Sequence, residues 1–379
     1  MNKGVEMKTL PIFVVICVLV AASVDAAVQK EKVNLGVRLD STSYSGKIAK
    51  TAIKLAMDDM NNQSQVLNAV DLLGNQVVAL IEAHMSEAEP FISHLGDAAH
   101  VPVFSLSDSS PAVSNQRFPF LVRMAHDDRI QMKAIASLVK HYGWRSISFL
   151  HSDHDFSCGA MSSFRDALKN LTSEIVYTTM IPSNAQKQTI REELYKLKAI
   201  DSRVFVVHTP FGLGMNLFVE AKEMGMMESG YVWMTTQGFA SLWDYALNAS
   251  TMTSMQGLLG LKTHTPNSEE LNDFTERWER QFRLDNPNMK NFELNTFGLL
   301  AYDTVVMVAR AIGKIKENAS LSFLQHSTTT KMKVFQQGGK LLQEIFLTNS
   351  TGLSGLVRFN EGEMYGCSYE IVNVVGKSY

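Results

Sequence analysis

The residues best suited to chemistry in this 379-residue chain stand directly after its β-like runs. Glu82-Ala83-His84-Met85-Ser86 follows Val77 to Ile81, and Ser107-Asp108-Ser109-Ser110 follows Val101 to Leu106. His151-Ser152-Asp153-His154-Asp155-Phe156 follows Ser146 to Leu150, Thr209-Pro210 follows the run ending at His208, and Thr236-Gln237-Gly238 follows Tyr231 to Thr235. In open α/β sheets a ligand lies beyond the carboxyl ends of the strands. Hydroxyls, an amide and Asp/His side chains at such positions suit a small polar ligand closed between two lobes. The candidate ligand-binding residues are therefore Ser86, Ser107, Ser109, Ser110, Asp155, Phe156, Thr209 and Gln237. Ser109 and Ser110 would offer hydroxyls and backbone N–H groups to a carboxylate, while Asp155 would hold an ammonium and Phe156 cover it. Ser107 to Ser110 followed by Pro111 also reads as ordinary loop and cap chemistry, and both readings stand at this level.

Other chemistries find less support. The His151–Asp155 cluster has zinc-ligand residue types, but neighbouring loop positions rarely converge on one ion and no distant Cys or His completes a pattern, so no metal is expected. H-E-x-x-H, G-x-S-x-G and the phosphate-binding G-x-x-x-x-G-K-[ST] are absent, and Gly212-Leu213-Gly214 lacks the third glycine of a dinucleotide fingerprint. The chain is accordingly expected to be no enzyme and to carry no cofactor. Lys and Arg number 35 against 38 Asp and Glu, a net charge of −3 with no basic run, which argues against a nucleic-acid partner. With 45% hydrophobic and 19% charged residues the chain can bury real cores.

The elements that must position these loops alternate between short apolar runs and longer helical patterns, the mark of parallel sheets covered by helices. Val33 to Val37 begins the first unit, followed by a helix over 46–61 with Ile48, Ala52, Leu55, Ala56 and Met60 on one face. A helix over 86–99 is expected to turn Phe91, Ile92 and Leu95 inward, and Phe120 to Arg123 leads out of the unit. The second unit starts with a helix over 128–142 and continues with strands near 146–150, 175–180, 203–208 and 231–235 and helices between them. Met224, Met226 and Met227 are expected to pack a helix end. Helices over 269–284 and 296–315 and a β-rich tail from Ser354 to Val375 follow. No Pro/Gly/Ser-rich linker separates the units, so the chain is expected to cross between two lobes more than once.

Lys3 and Lys8, an apolar run from Leu10 to Ala22 and Val24-Asp25-Ala26 form the pattern of a secretory signal peptide over 1–26, with a retained signal anchor as the rival reading. Either reading places the remainder in the secretory pathway, extracellular or lumenal. Cys158 and Cys367 then remain in an oxidising compartment, where a disulfide and two separate buried thiols are both open. Asn-x-Ser/Thr sequons stand at Asn62, Asn170, Asn248, Asn318 and Asn349.

One set of segments is specific in combination: Phe118-Pro119-Phe120 with Ile130 to Ala136, Tyr142-Gly143-Trp144, Met224-Gly225-Met226-Met227 with Gly230 to Met234, and Tyr369 to Ser378. From Val33 to Tyr379 the chain resembles the amino-terminal ligand-binding domain of plant glutamate receptor-like channels. The resemblance implies an α/β fold of the type I periplasmic-binding-protein class, with two interleaved lobes each built on a mostly parallel sheet. It implies lobe 1 from 33–122 plus 265–331 and lobe 2 from 123–264 plus 332–379. It further implies an amino-acid-like ligand, partner subunits of the same family, and a continuation into a pore that is expected to lie beyond the residues present here.

Two local departures accompany the resemblance. Glu82-Ala83 stands where the family usually has Gly-Pro, and Glu82, Glu87 and Glu89 together would oppose an incoming carboxylate. Residues 62–77 have room for a helix-like Ala69 to Leu73 but not for a strand as well, so an edge strand of the first sheet is expected to be missing. These departures keep two alternatives in view: an assembly or decoy module without its own ligand, and a degenerate product that does not bind.

Overall fold

A computed structural model describes residues 14–20, 33–60, 63–66, 76–82, 89–106, 117–153, 155–243, 249–289, 292–325, 332–360, 362–366 and 368–376. The chain begins with β1 (Val14–Val20), β2 (Val33–Leu39), α1 (Tyr44–Asp59), β3 (Gln63–Val66), β4 (Val77–Glu82), α2 (Glu89–Ala99), β5 (Val103–Ser105) and β6 (Leu121–Arg123). It continues through α3 (Asp128–Tyr142), β7 (Ser146–Ser152), α4 (Asp155–Leu168), β8 (Glu174–Ile181), α5 (Lys187–Ala199), β9 (Val204–His208), α6 (Phe211–Glu223), β10 (Val232–Thr235), α7 (Gln237–Ala240), α8 (Ala249–Ser254) and β11 (Leu259–Thr263). The last part holds α9 (Glu269–Asp285), α10 (Thr296–Asn318), β12 (Phe323–Gln325), β13 (Lys333–Phe335), α11 (Gly338–Phe346), β14 (Asn349–Gly352), β15 (Gly355–Asn360), β16 (Glu363–Met364) and β17 (Tyr369–Asn373).

Two main sheets organise these elements. The first runs β14-β15-β16-β6-β5-β4-β2-β1-β3 and the second β17-β11-β10-β9-β7-β8. The central strands pair in parallel in both: β2 with β4, β4 with β5 and β5 with β6, then β8 with β7, β7 with β9, β9 with β10 and β10 with β11. Strands such as β4 and β9 are buried at every position, as expected where helices cover both faces of a parallel sheet. The α/β architecture with two mostly parallel sheets flanked by helices thus agrees with the sequence reading.

The first lobe's core gathers β2, β4, β5, α1, α9, α10 and α11 around Val37, Ile48, Phe104, Trp278 and Leu341. Helix α10 is long and apolar enough to span a membrane by length and composition, but its apolar face is buried here among these partners. Ser43 starts α1 by accepting the Gly46 N–H at 3.1 Å, which satisfies one of the orphan donors of the first turn. The second lobe has cores on both faces of its sheet. Phe205, Phe218, Trp233 and Phe239 lie on one side, and Phe149, Phe164, Ile135 and Val139 on the other.

Several family-like segments turn out to be structural joints. Gly143 closes α3 at φ +67, a left-handed position that disfavours a Cβ, and the turn stacks Tyr142 on Trp144 at 4.7 Å. Met224 and Met226 are buried at the end of α6 as expected, and the Met226 carbonyl accepts the Trp233 indole N–H at 2.7 Å. Phe118 is fully buried with the His94 ring at its edge, while the Phe120 N–H donates to Asp97 at 2.9 Å.

Three expectations differ from the structure. Phe91 is 59% exposed, not inward. The edge strand expected to be missing is present: Gln63–Val66 forms β3, although its partner is β1 and not β2. Residues 14–20 of the apolar run form β1, antiparallel to β2 along its whole length in the uncleaved chain, and the leader over 1–26 stays an expectation. The boundary placed at residue 332 falls elsewhere, because β13, α11 and β14 to β16 carry Phe335, Leu341, Ile345, Val357 and Met364 into the first lobe's core. Among the described residues of the tail, only β17 returns to the second sheet, beside β11. The proposed helix at 69–73 lies outside the described residues.

Candidate functional site

Among the described residues the chain passes between the sheets three times: from β6 to α3, from β11 to α9 and from β16 to β17. The first two passages leave from the carboxyl ends of parallel strands. Helix α3 then runs back along the second sheet to the start of β7, so its N-terminus lies on the carboxyl side of that sheet too. The rims on which a ligand is expected in this fold class therefore lie beside the crossings.

On the first rim Arg38 and Glu82 are register partners at the ends of β2 and β4 and form an ion pair, with the Glu82 carboxylate 1% exposed and Arg38 11%. The acidic cluster expected to repel a carboxylate is thereby reduced, because Arg38 offsets the charge of Glu82. Glu87 lies outside the described residues. The next strands end at Ser105 and Arg123, both buried.

At the first crossing Asp127 caps α3 by accepting the Arg129 N–H at 2.6 Å, and it also binds the Arg129 guanidinium at 2.8 and 2.6 Å. Arg129 reaches on to Glu363 at 2.9 Å. Buried Arg123 lies 3.7 Å from Asp127 and 3.6 Å from Glu363. Its register partner in the sheet is Glu363 itself. The hydrogen bond to Asp127 raises the Arg129 pKa, with the charges of Asp127 and Glu363 adding to it. Two cations and two carboxylates thus bind the first and third crossings into one joint.

On the second rim the polar groups face one another behind the strand ends. Gln131, one turn into α3, donates to Asp128 and accepts the Gln237 N–H at 3.1 Å, and Thr263 donates to the Gln237 side chain. His208 pairs through Nδ1 with the Thr236 hydroxyl at 3.0 Å, and its Nε2 lies 3.9 Å from Asp128. Burial, with a smaller contribution from His151, pushes the His208 pKa from 6.5 to about 3 and keeps the ring neutral. His151 Nδ1 contacts the Ser152 carbonyl at 2.8 Å. The whole set is a hydrogen-bonded floor to which α3, α7 and strands β7, β9, β10 and β11 contribute.

Of the eight candidate ligand residues, Ser86, Ser107, Ser109 and Ser110 lie outside the described residues. Asp155 and Phe156 open α4, directly after β7, and only their backbone is described. Thr209 and Gln237 are both buried. The Thr209 hydroxyl sits against Gly214 of α6 without a hydrogen-bond partner among the described residues, whereas the Gln237 side chain is held by Thr263 and belongs to the floor. Cys158 lies in α4 with its side chain outside the described residues, and Cys367 lies outside them altogether, so their pairing stays an expectation.

Sequence reasoning missed Arg38, Arg123, Asp127, Asp128, Gln131 and Glu363. A usable signal existed for one pair only. Asp127-Asp128 directly before an apolar-periodic helix is an N-cap pattern. The others depend on which strands become neighbours.

The comparison with known proteins matches this geometry. Residues 47–377 match the family described as receptor family ligand binding region. Glutamate receptor 2.7 of Arabidopsis thaliana is 31% identical over 376 residues, which span 92% of this chain and 39% of that protein. Glutamate receptor 3.2 of the same plant is 32% identical over 93% of this chain and 42% of its own length, and glutamate receptor 3.1 of Oryza sativa subsp. japonica is 29% identical over 96% and 43%. The chain spans about two fifths of the length of these relatives. By the extent of that match and by its two-sheet fold, the chain belongs to the receptor family ligand binding region family, in the form found in plant glutamate receptors.

Proposed function

We propose that this chain is an extracellular ligand-binding region of the glutamate receptor type, which closes its two lobes on a small polar ligand such as a free amino acid and works with subunits of the same family. The observation that carries this reading is the joint at the crossings: carboxyl strand ends of both sheets flank it, and its charges are internally paired. A paired joint costs little to reorient as a unit, while the loops after β4, β5 and β7 remain the places where a ligand would be gripped. Ser109 and Ser110 take the carboxylate in this reading, Asp155 the ammonium, and Phe156 covers the bound molecule.

The amino-acid-binding part is tested by thermal shift of the purified chain against a library of free amino acids. At least one is expected to raise Tm, and Ser109→Ala or Asp155→Ala to remove most of that rise. A chain that melts cooperatively and shifts with none of them has no amino-acid site. The assembly part is tested by co-purification with full-length family subunits from plant membranes, where a strictly solitary chain would contradict it.

A further inference from the structure

A cavity of about 600 Å³ lies in the first lobe, away from the crossings, as a trough between α10 on one side and β14 with the end of α11 on the other. Its volume falls within the roughly 300–1,000 Å³ of sites that hold small molecules. We propose that this trough binds a linear zwitterion, a small molecule whose ammonium and carboxylate stand at opposite ends of an apolar chain.

Three observations carry the assignment. First, the trough is apolar along its middle. Val306, Met307 and Ala311 come from one stripe of α10, and Val357, the register partner of Ser350, lines the opposite wall. Second, its two ends carry opposite charge. At one end the Asp303 carboxylate holds the turn between β14 and β15, and Gly355 at the close of that turn lies near Pro266, just before Glu270 of the lining. Arg310 stands two helical turns further along α10, about 10 Å from Asp303 along the helix axis, so the apolar stretch separates acid from base. Third, the charges that would meet a ligand are unengaged. Glu270 and Arg310 are exposed, and neither makes a hydrogen bond or ion pair among the described residues. Lys314, also in the lining, is by contrast held by Glu344 at 3.1 Å. Asp303 is already bound by three donors, so Glu270 receives the ammonium while Asp303 adds negative potential behind it.

The charge pattern also sets specificity. A dicarboxylate brings like charge to Glu270 and a diamine brings it to Arg310, and either mismatch opposes binding. An α-amino acid carries both charges on neighbouring atoms of one carbon and meets one end of the trough only. Recognition here therefore differs from the grip expected between the lobes and does not rest on it.

The test is a saturation-transfer NMR titration of the full chain with ε-aminocaproate as the probe. Binding at millimolar concentration is expected, with hexanoate, hexylamine, adipate and hexamethylenediamine each at least about tenfold weaker. Glu270→Gln and Arg310→Gln, both at exposed positions, are expected to keep the wild-type Tm and to weaken binding of the probe at least about tenfold each. Ser109→Ala and Asp155→Ala are expected to leave it unchanged, which keeps this outcome separate from that of the amino-acid thermal-shift test. Absence of saturation transfer to the probe in a cooperatively folded chain overturns the proposal. Equal affinity for hexanoate or hexylamine overturns it too, as does an affinity that neither the Glu270 nor the Arg310 variant alters.

Discussion

Arg129 donates to Glu363 at 2.9 Å across 234 positions of sequence, so the passage into the second lobe is tied to the last strand of the first. The same guanidinium holds Asp127, the residue that caps α3. Local capping and long-range closure therefore share one pair of carboxylates.

Replacing Asp127 with Ala removes the cap and takes one anion from beside buried Arg123, whose other close carboxylate is Glu363 at 3.6 Å. We expect a loss of about 2–4 kcal/mol in urea unfolding, combining a lost cap with a weakened buried ion pair. Arg129→Ala, at a half-exposed position, is expected to lose less than about 1 kcal/mol. Equal losses for the two variants would show that the buried Arg123 does not depend on Asp127.

His208 makes stability depend on pH. Burial first, and His151 second, lower its pKa from 6.5 to about 3, so the unfolded chain takes up a proton at a higher pH than the folded one. The stability this group contributes above pH 6.5 is lost as pH falls toward 3, on the order of 2 kcal/mol by pH 5. His126 is shifted the same way by burial, whereas burial raises the pKa of Asp303, which acts in the opposite sense as pH falls. Urea midpoints at pH 7.5 and 5 are expected to converge in His208→Gln relative to the wild type. An unchanged pH dependence in that variant would remove His208 from the account.

Gly338 begins α11 against the carbonyl of His100, and a methyl group there would overlap that oxygen and crowd Phe120. Gly338→Ala is expected to cost at least about 2 kcal/mol because backbone sets the clash and no rotamer relieves it. Gly339→Ala, with open space around it, is the control expected to be neutral or slightly stabilising. The contrast checks that α11 belongs to the first lobe.

Asp303 is buried in α10 and accepts the Leu353 and Ser354 N–H groups at 2.8 Å each and the Ser354 hydroxyl at 2.5 Å. Asp303→Ala would leave two backbone donors of the β14–β15 hairpin unsatisfied. A loss of about 2–3 kcal/mol is expected, together with faster hydrogen exchange at those two amides. Global destabilisation without local exchange at 353 and 354 would argue against this role.

The residues of β1 fall within the expected leader over 1–26. A chain starting at Ala27 is expected to show faster amide exchange over Val33–Leu39 than one starting at Met1, since half of the β2 backbone groups lose their partner. Identical exchange would mean that β1 contributes nothing to that edge.

Much of the architecture was legible from residue order alone. Alternation of period places a helix over 128–142, where α3 lies, and the apolar runs ending at His208 and Thr235 coincide with the ends of β9 and β10. These are local signals, written in neighbouring side chains and in the backbone geometry they favour. The loops expected to hold a ligand were likewise legible as positions, because they follow strand ends. The acid pattern at Glu82 was legible too, but its meaning was not. Only the parallel register of β2 with β4 sets Arg38 beside it, and that pairing joins residues 44 positions apart.

Tertiary structure alone decided the joint and the fate of the tail. Arg123, Asp127, Arg129 and Glu363 converge because β16 pairs with β6, a choice governed by sheet topology and not by any nearby residue. The tail looked like part of the second lobe, yet Leu341, Ile345 and Val357 are buried in the first, where α10 and the sheet offer an apolar surface to cover. The sequence by itself determined the elements, their alternation and the exclusion of common enzyme motifs. Which charges neutralise one another follows from long-range packing, because pairing energies depend on distances that no local pattern encodes.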